Sequence, residues 1–300
     1  MKPTLLAVAL IFNALVLLAA QVEGAEPIAF TSVGAFGKFP EGVTLGPTSA
    51  VAVNRQGEVY IFHRGKQPII VCDPAGNVLR SWGDDLIGSA HGLRLDRDEN
   101  VWVTDIGNHR VFKFDPQGKL LLALGTGKPG DGPDQFNKPT DIAFGPQGEV
   151  FVTDGYGNGR VLKFSPSGAL LQTWGKLGRG DGEFRIPHSI VIDSHNRLLV
   201  GDRENDCIQV YSTEGKLLAV WPGFAPYGLA LDAAGRLFVA DGRAQQVLEL
   251  DANGKVVGRI GQSGKGLGEF TLPHMLTFDR QGNLLVAEVG NSRVQQWNRR

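Results

Sequence analysis

The sequence predicts an all-β fold, a six-bladed β-propeller, and two observations support that prediction. Short runs of β-branched and aromatic residues, each bounded by Gly, Pro or Asp, recur along most of the 300-residue chain, and such runs are typical of short strands. The runs come in groups of four that repeat at intervals of 39 to 49 residues, which is the spacing of propeller repeats. Each group therefore corresponds to one blade, a sheet of four antiparallel strands.

The third copy of the repeat illustrates the pattern, with strands predicted at residues 139–144, 148–154, 160–164 and 170–175. In every copy the second strand ends at a polar residue. These residues are, in order, His63, Asp105, Asp154, Asp202, Asp241 and Glu288. Because aspartate readily accepts hydrogen bonds from turn backbone, we expect the four aspartates to cap turns rather than to act as catalysts.

The sixth copy ends after three strands, the last of them at residues 293–297. We expect residues 28–33, near the other end of the chain, to supply its missing fourth strand. Such a strand would close the ring and remove the exposed edges that open sheets carry. Residues 25–300 are thus predicted to form one propeller domain.

The N-terminal segment is predicted to be a signal peptide. An apolar run at residues 5–20 follows Lys2, and a short polar stretch ends near residue 24, so residues 1–24 are expected to be removed and the protein to be secreted or periplasmic, without a membrane anchor. Cys72 and Cys207 fall in blades one and four, too far apart for a disulfide. The net charge of -1 argues against a nucleic-acid partner, and we expect a monomer.

Three of the six histidines, His91, His188 and His274, occupy one position of the repeat in the second, fourth and sixth copies. In the other copies that position holds Ser49, Thr140 and Tyr227. The first strand of each blade lines the central channel, and alternate blades stand a third of a turn apart, so the three imidazoles would converge. Three neutral histidine nitrogens with an open fourth position are typical of a catalytic zinc site.

A simpler interpretation is that a Pro-His pair merely begins an inner strand and that each ring bonds to a neighbouring loop. Packing alone, however, gives no reason for histidines to fall in alternate blades, so a metal site is the favoured interpretation. The remaining histidines, His63, His109 and His195, lie outside this position. We expect His109 and His195 to be solvated.

Several local strings carry a family resemblance. They lie at residues 61–65, 91–93, 101–105, 153–156, 164–168, 187–189, 202–205 and 273–274. Together they resemble peptidyl-α-hydroxyglycine α-amidating lyase (peptidylamidoglycolate lyase), the enzyme of the second step of peptide C-terminal amidation and a six-bladed propeller built of NHL repeats. The resemblance covers nearly all of residues 25–300, and the co-occurrence of these strings is more specific than the NHL pattern alone.

The resemblance implies a zinc-dependent lyase. The zinc ligands would be the three channel histidines, and the catalytic residues would be Tyr156, Arg64 and Arg203. The implied reaction cleaves the C–N bond of a peptidyl- or N-acyl-α-hydroxyglycine to give an amide and glyoxylate. The sequence has no counterpart of a copper monooxygenase domain, so either another protein supplies the hydroxylated substrate or the zinc site acts on a different carbinolamide or related small molecule.

The residue types suit that chemistry. Zinc lowers the pKa of a coordinated hydroxyl group, and nearby guanidinium groups favour the phenolate form of a tyrosine, which makes Tyr156 a credible base. Arginine presents a planar fork of donors that matches the carboxylate of the substrate. Alternatively, Tyr156 is a rim tyrosine, and Arg64 and Arg203 are surface residues paired with neighbouring aspartates at 105 and 202.

Other functions remain open. The family also binds calcium, partly through an aspartate after the third histidine, where this chain has Met275, a residue without a hard oxygen ligand. A calcium site would therefore depend on carbonyls and other ligands. A second possible function is an exported scaffold that binds a protein or glycan and contains a structural metal. A third is another metal-dependent propeller enzyme, such as a lactonase, which would usually have carboxylates on the metal.

Overall fold

The computed structural model describes residues 26–300, which form a ring of six blades, each a sheet built on four antiparallel strands. In blades 1 to 5 the four strands follow one another in chain order from the channel outward, whereas the outermost strand of blade 6 comes from the N-terminal part of the described chain. The four strands of each blade pair antiparallel. The inner strands of neighbouring blades contact one another in a closed cycle. The predicted six-bladed propeller is therefore confirmed, and the predicted signal peptide at residues 1–24 lies outside the described residues.

The strand bounds, given from the channel outward, follow the predicted pattern. Blades 1 to 3 consist of Thr48–Val53, Val59–His63, Ile69–Cys72 and Val78–Trp82; Ala90–Leu95, Val101–Asp105, Arg110–Phe114 and Leu120–Leu124; Asp141–Phe144, Val150–Asp154, Arg160–Phe164 and Leu170–Trp174. Blades 4 to 6 consist of Pro187–Ile192, Arg197–Asp202, Cys207–Ser212 and Leu217–Pro222; Pro226–Leu231, Leu237–Asp241, Gln246–Leu250 and Val256–Ile260; Pro273–Phe278, Leu284–Glu288, Arg293–Arg299 and Phe30–Phe36.

The N-terminal part of the described chain closes the ring. Phe30–Phe36 pairs antiparallel with Arg293–Arg299, so the expected closing strand exists but begins two residues later than predicted. Glu26–Pro27 adds a short parallel strand to the edge of blade 5, which the sequence did not predict. The two ends of the described chain are thus held in adjacent blades.

The core fills the spaces between neighbouring blades. Inward-facing aliphatic and aromatic residues of blades 1 and 2 form one cluster, which includes the fully buried Phe62 and Phe112. Burial of such a side chain contributes about 1.5–3 kcal/mol. Cys72 and Cys207 are buried and unpaired, as expected, and burial raises the pKa of both thiols. No helix among residues 26–300 is long and apolar enough to cross a membrane.

The four aspartates that end second strands cap turns, as predicted. Asp105 accepts hydrogen bonds from the backbone nitrogens of Gly88 and Ser89, both at 2.8 Å. In blade 1 the same task falls to His63, whose Nδ1 accepts from the nitrogen of Gly46 at 3.0 Å. The other ring nitrogen of His63 lies 3.2 Å from the carbonyl oxygen of Gln67, so His63 is a neutral imidazole with its proton on Nε2.

Protonation of His63 should consequently make blade 1 sensitive to acid. Burial lowers the pKa of His63, against the opposing influence of the Gln67 carbonyl and the Asp84 carboxylate. The unfolded chain takes up this proton near pH 6.5 and the folded chain only at lower pH, so acidification favours unfolding, by up to about 1.4 kcal/mol per pH unit. His63→Asn, which keeps an acceptor but does not titrate, is expected to show a shallower loss of unfolding free energy between pH 7 and pH 5.

Denaturant unfolding at several pH values measures this difference. His195→Asn is the matched control, because the His195 side chain is 69% exposed and should behave like the wild type. Equal pH slopes for the wild type and His63→Asn would contradict the assignment.

Candidate metal centre

The three channel histidines meet on the propeller axis. His91, His188 and His274 begin or nearly begin the inner strands of blades 2, 4 and 6, and each is at most 2% exposed. Their ring centroids are 4.6, 4.8 and 4.8 Å apart, with interplanar angles of 70–73°. One ligand nitrogen from each lies within 4.8 Å of the others. The structure thus brings together the three residues that the sequence selected as metal ligands.

The orientation of each imidazole is fixed by the blade that follows it. The Nδ1 atom of every channel histidine lies at hydrogen-bond distance from a main-chain carbonyl at the same level of the neighbouring blade. For His91, His188 and His274 in turn, these carbonyls belong to Thr140 (2.7 Å), Tyr227 (2.6 Å) and Ser49 (2.6 Å). The non-histidine positions of the ring therefore orient the histidines.

These contacts determine which nitrogen carries the proton. A carbonyl only accepts hydrogen bonds, and a neutral imidazole has one N–H group, so the proton of each channel histidine resides on Nδ1. The Nε2 atoms of His91 and His188 lie 3.1 Å apart, yet both present lone pairs and cannot bond to each other. A cation bound to both lone pairs would resolve this conflict. Zn–N distances of 2.0–2.1 Å in a tetrahedral site require nitrogens about 3.3 Å apart, so the Nε2 atoms of His91 and His188 have nearly the spacing that such an ion needs, and the His274 ligand nitrogen lies within 4.8 Å of both.

The channel keeps these imidazoles neutral. Burial is the main cause that lowers the pKa of all three, and neighbouring histidines or the guanidinium groups of Arg64 and Arg203 lower it further. For His274 the pKa is lowered to about 3. Because metal ions bind the neutral imidazole, protons compete weakly for these nitrogens near pH 7.

Tyr156 lies over the open side of the histidine cluster. Its phenol oxygen is 3.1 Å from the Nε2 atoms of both His91 and His188. Arg203 Nη1 donates to the same oxygen at 3.3 Å, and the Arg203 guanidinium lies 5.4 Å from the centre of the Tyr156 ring. Tyr156 therefore contacts the histidine cluster directly and does not stand apart on the rim.

Arg64 lies beside the cluster, in the turn after the second strand of blade 1. Its Nε donates to the carbonyl of Ala90 at 3.1 Å, next to His91. Burial by the channel wall lowers the pKa of Arg64, and the Tyr156 phenol opposes that shift. Arg203 pairs with Glu204 at 3.0 Å rather than with Asp202. All six predicted site residues are thus gathered at one end of the channel.

Tyr227 also lies at the metal centre, although it was not among the site residues predicted from the sequence. Its ring centroid lies 5.3 Å from that of His188 and 6.2 Å from that of His274, and the Arg203 guanidinium lies 4.8 Å from its centre. The available signal was its place in the repeat, since Tyr227 occupies the position that holds a histidine in blades 2, 4 and 6.

The next level of the channel contains a buried ion pair instead of further metal ligands. Arg94 binds Asp141 through two hydrogen bonds, of 3.0 and 2.7 Å, and its Nη2 also donates to the carbonyl of Leu229 at 3.0 Å. Ser189 Oγ donates to the same carboxylate at 2.8 Å. The buried Met275 Sδ lies 4.0 Å from Arg94 Nη2. Beside Met275, where the resemblance would place a calcium ligand, the positive charge thus comes from a guanidinium group.

The ring of six blades and the histidine cluster in its channel define a β-propeller with a candidate metal centre. The NHL repeat family pattern matches residues 88–114, 136–164 and 184–211, which fall on the first three strands of blades 2, 3 and 4. Human NHL repeat-containing protein 3 is 34% identical over 288 residues, with 87% of this chain and 81% of the human protein covered. The chain therefore belongs to the NHL-repeat family.

Relatives named for amidation are similar too. A Caenorhabditis elegans protein named probable peptidyl-alpha-hydroxyglycine alpha-amidating lyase is 28% identical over 300 residues, with 86% of this chain and 84% of that protein covered. Mouse peptidyl-glycine alpha-amidating monooxygenase is 34% identical over 205 residues, which cover 57% of this chain and 21% of the mouse protein. The chain thus spans about a fifth of the mouse protein and most of the worm protein.

Proposed function

We propose that the protein is a zinc-dependent lyase that cleaves peptidyl- or N-acyl-α-hydroxyglycine into an amide and glyoxylate. One observation carries the proposal: three inward-facing Nε2 lone pairs meet beneath a phenol and two guanidinium groups at one end of the channel. The worm relative named as a probable amidating lyase supports the same reaction class.

Tyr156 and the two arginines of the site have different roles in this reaction. Tyr156 Oη takes the proton of the substrate hydroxyl, the oxygen electron pair forms the carbonyl of glyoxylate, and the C–N bond breaks as the amide nitrogen is protonated. Arg64 and Arg203 bind the substrate carboxylate through their planar donor forks. Zinc held by the three Nε2 atoms would act as a Lewis acid that polarises the hydroxyl oxygen. No water is consumed, so the reaction is an elimination and not a hydrolysis.

Release of glyoxylate from α-hydroxyhippurate by purified, zinc-loaded protein tests the proposal. We expect release that stops when a chelator removes the metal and returns when zinc is restored, with one zinc per chain by elemental analysis. A zinc-loaded protein that releases no glyoxylate would refute the lyase and favour the scaffold function, which the relatives named only as NHL repeat proteins leave open.

Zinc is also expected to stabilise the fold. At a free zinc concentration one hundred times the dissociation constant, binding to the folded state adds about 2.7 kcal/mol to the unfolding free energy. His188→Ala removes one ligand and should abolish this gain, whereas His195→Ala, on the exposed turn of blade 4, should retain it. Thermal unfolding with and without zinc measures the effect, and an equal gain in all three proteins would place the metal elsewhere.

We also propose that the protein is exported. Residues 1–24 have the organisation of a signal peptide, so we expect a secreted or periplasmic monomer whose substrate is a peptide or small molecule with a C-terminal α-hydroxyglycine. Mass spectrometry of the exported protein should find an N-terminus near residue 25, and retention of residues 1–24 would contradict the expectation.

A further inference from the structure

Arg203 is held in place by several neighbours at once. Its Nε pairs with Glu204 at 3.0 Å, and its Nη1 reaches the Tyr156 oxygen at 3.3 Å. Its guanidinium carbon lies 4.8 Å from the centre of the Tyr227 ring, closer than to the Tyr156 ring at 5.4 Å. Because Glu204 occupies Nε, the Nη edge of the guanidinium is the edge left to meet a ligand.

Tyr227 connects this guanidinium to the metal centre. Its main-chain carbonyl accepts the Nδ1 proton of His188 at 2.6 Å, and its ring packs at 5.3 Å from the His188 ring. The same ring contacts Arg203. One residue thus sets both the orientation of a metal ligand and the position of a guanidinium group, and a tyrosine does so with only two side-chain torsions.

The fold leaves room for the Tyr227 ring at Gly242. A Cβ atom at position 242 would lie 2.6 Å from two ring carbons of Tyr227 and 2.9 Å from a third, which is too close for any side chain. The aromatic ring, unlike the end of a flexible chain, can relieve this contact only by moving as a whole. A glycine at position 242 is therefore a condition for the observed place of the Tyr227 ring.

We infer that Tyr227 is a positioning residue that sets the affinity of the site for the substrate carboxylate by holding Arg203 against its ring face. The inference rests on the proposed function, because it takes the ligand of Arg203 to be a carboxylate. Burial raises the pKa of Tyr227, so its phenol stays protonated and leaves the role of base to Tyr156. Cation–π contacts of this kind strengthen from exposed to desolvated sites.

Binding of hippurate to the zinc-loaded protein tests the inference by calorimetry. Hippurate carries the carboxylate but no α-hydroxyl group, so it cannot be cleaved, and hippuramide is the uncharged control ligand. Tyr227→Leu is expected to weaken hippurate binding by roughly 3- to 30-fold and to leave hippuramide binding and zinc content unchanged. Tyr227→Phe, which keeps the ring face, should retain most of the wild-type affinity. Gly242→Ala should weaken hippurate binding because its methyl group displaces the Tyr227 ring while residue 227 remains a tyrosine.

In the glyoxylate assay the same variants should raise KM for α-hydroxyhippurate more than they lower kcat. The inference would be overturned if Tyr227→Leu bound hippurate as tightly as the wild type. It would also be overturned if this variant lost hippurate and hippuramide binding equally or lost zinc, because either result would show that Tyr227 has a general structural role. No hippurate binding to the wild type would overturn it as well. Wild-type protein that binds hippurate but releases no glyoxylate would refute the lyase and leave the role of Tyr227 in carboxylate binding standing.

Discussion

Tyr156→Phe is expected to lower kcat for glyoxylate release by about 10²- to 10⁴-fold, the usual contribution of a positioned general base. The substitution removes only the oxygen that lies 3.1 Å from the Nε2 atoms of His91 and His188. The Phe ring can keep the edge contacts with these two histidines and the face toward Arg203. KM should therefore change much less than kcat, since the binding groups stay in place.

Initial rates on zinc-loaded protein, with zinc content measured in parallel, separate the two parameters. Tyr211→Phe is the matched control, because it also removes one phenol oxygen, which donates to Gln209 at 2.7 Å inside blade 4 and not at the metal centre. It should leave kcat near the wild-type value even if it lowers stability. A Tyr156→Phe protein that retains more than about a tenth of wild-type kcat would assign the base to another group.

The sequence predicted the level of the channel at which the site lies, and the reason is geometric. A repeat places equivalent residues at equivalent heights, so the alignment that put Ser49, His91 and Thr140 in one series also put their side chains in one ring. The hydrogen bonds from each Nδ1 to the next blade could not be predicted in this way, because they depend on the distance between adjacent sheets.

Two further contacts could not be predicted from the sequence for the same reason. Tyr227 was visible as a member of the series, but its contact with Arg203 joins an inner strand to a turn of another blade. The pair of Arg94 and Asp141 spans two blades and depends on the carbonyl of Leu229 in a third. Alignment of repeats identifies equivalent positions, whereas such contacts arise from residues that break the equivalence.

That pair should dominate the stability of the channel. Asp141 is fully buried, and its carboxylate accepts from Arg94, from Ser189 and from the backbone nitrogen of Ile190 at 3.0 Å. Asp141→Ala leaves the Arg94 guanidinium, 19% exposed, without its counter-charge. Breaking a buried pair in this way is expected to cost about 3–5 kcal/mol of unfolding free energy. The midpoint of thermal unfolding should fall by roughly 5–9 °C for a chain of this size.

This mechanism is tested by asking whether removal of the Arg94 charge restores the stability that is lost with the Asp141 charge. Buried ion pairs can be replaced by apolar side chains of similar volume at little cost, because the desolvation penalty disappears together with the attraction. The double variant Arg94→Met, Asp141→Leu should therefore be more stable than Asp141→Ala, and Asp98→Ala, on an exposed turn, should match the wild type. If the double variant is instead the least stable, then the hydrogen bonds to Leu229 and Ser189, which join blades 2, 4 and 5 beneath the histidines, matter more than the balance of charge.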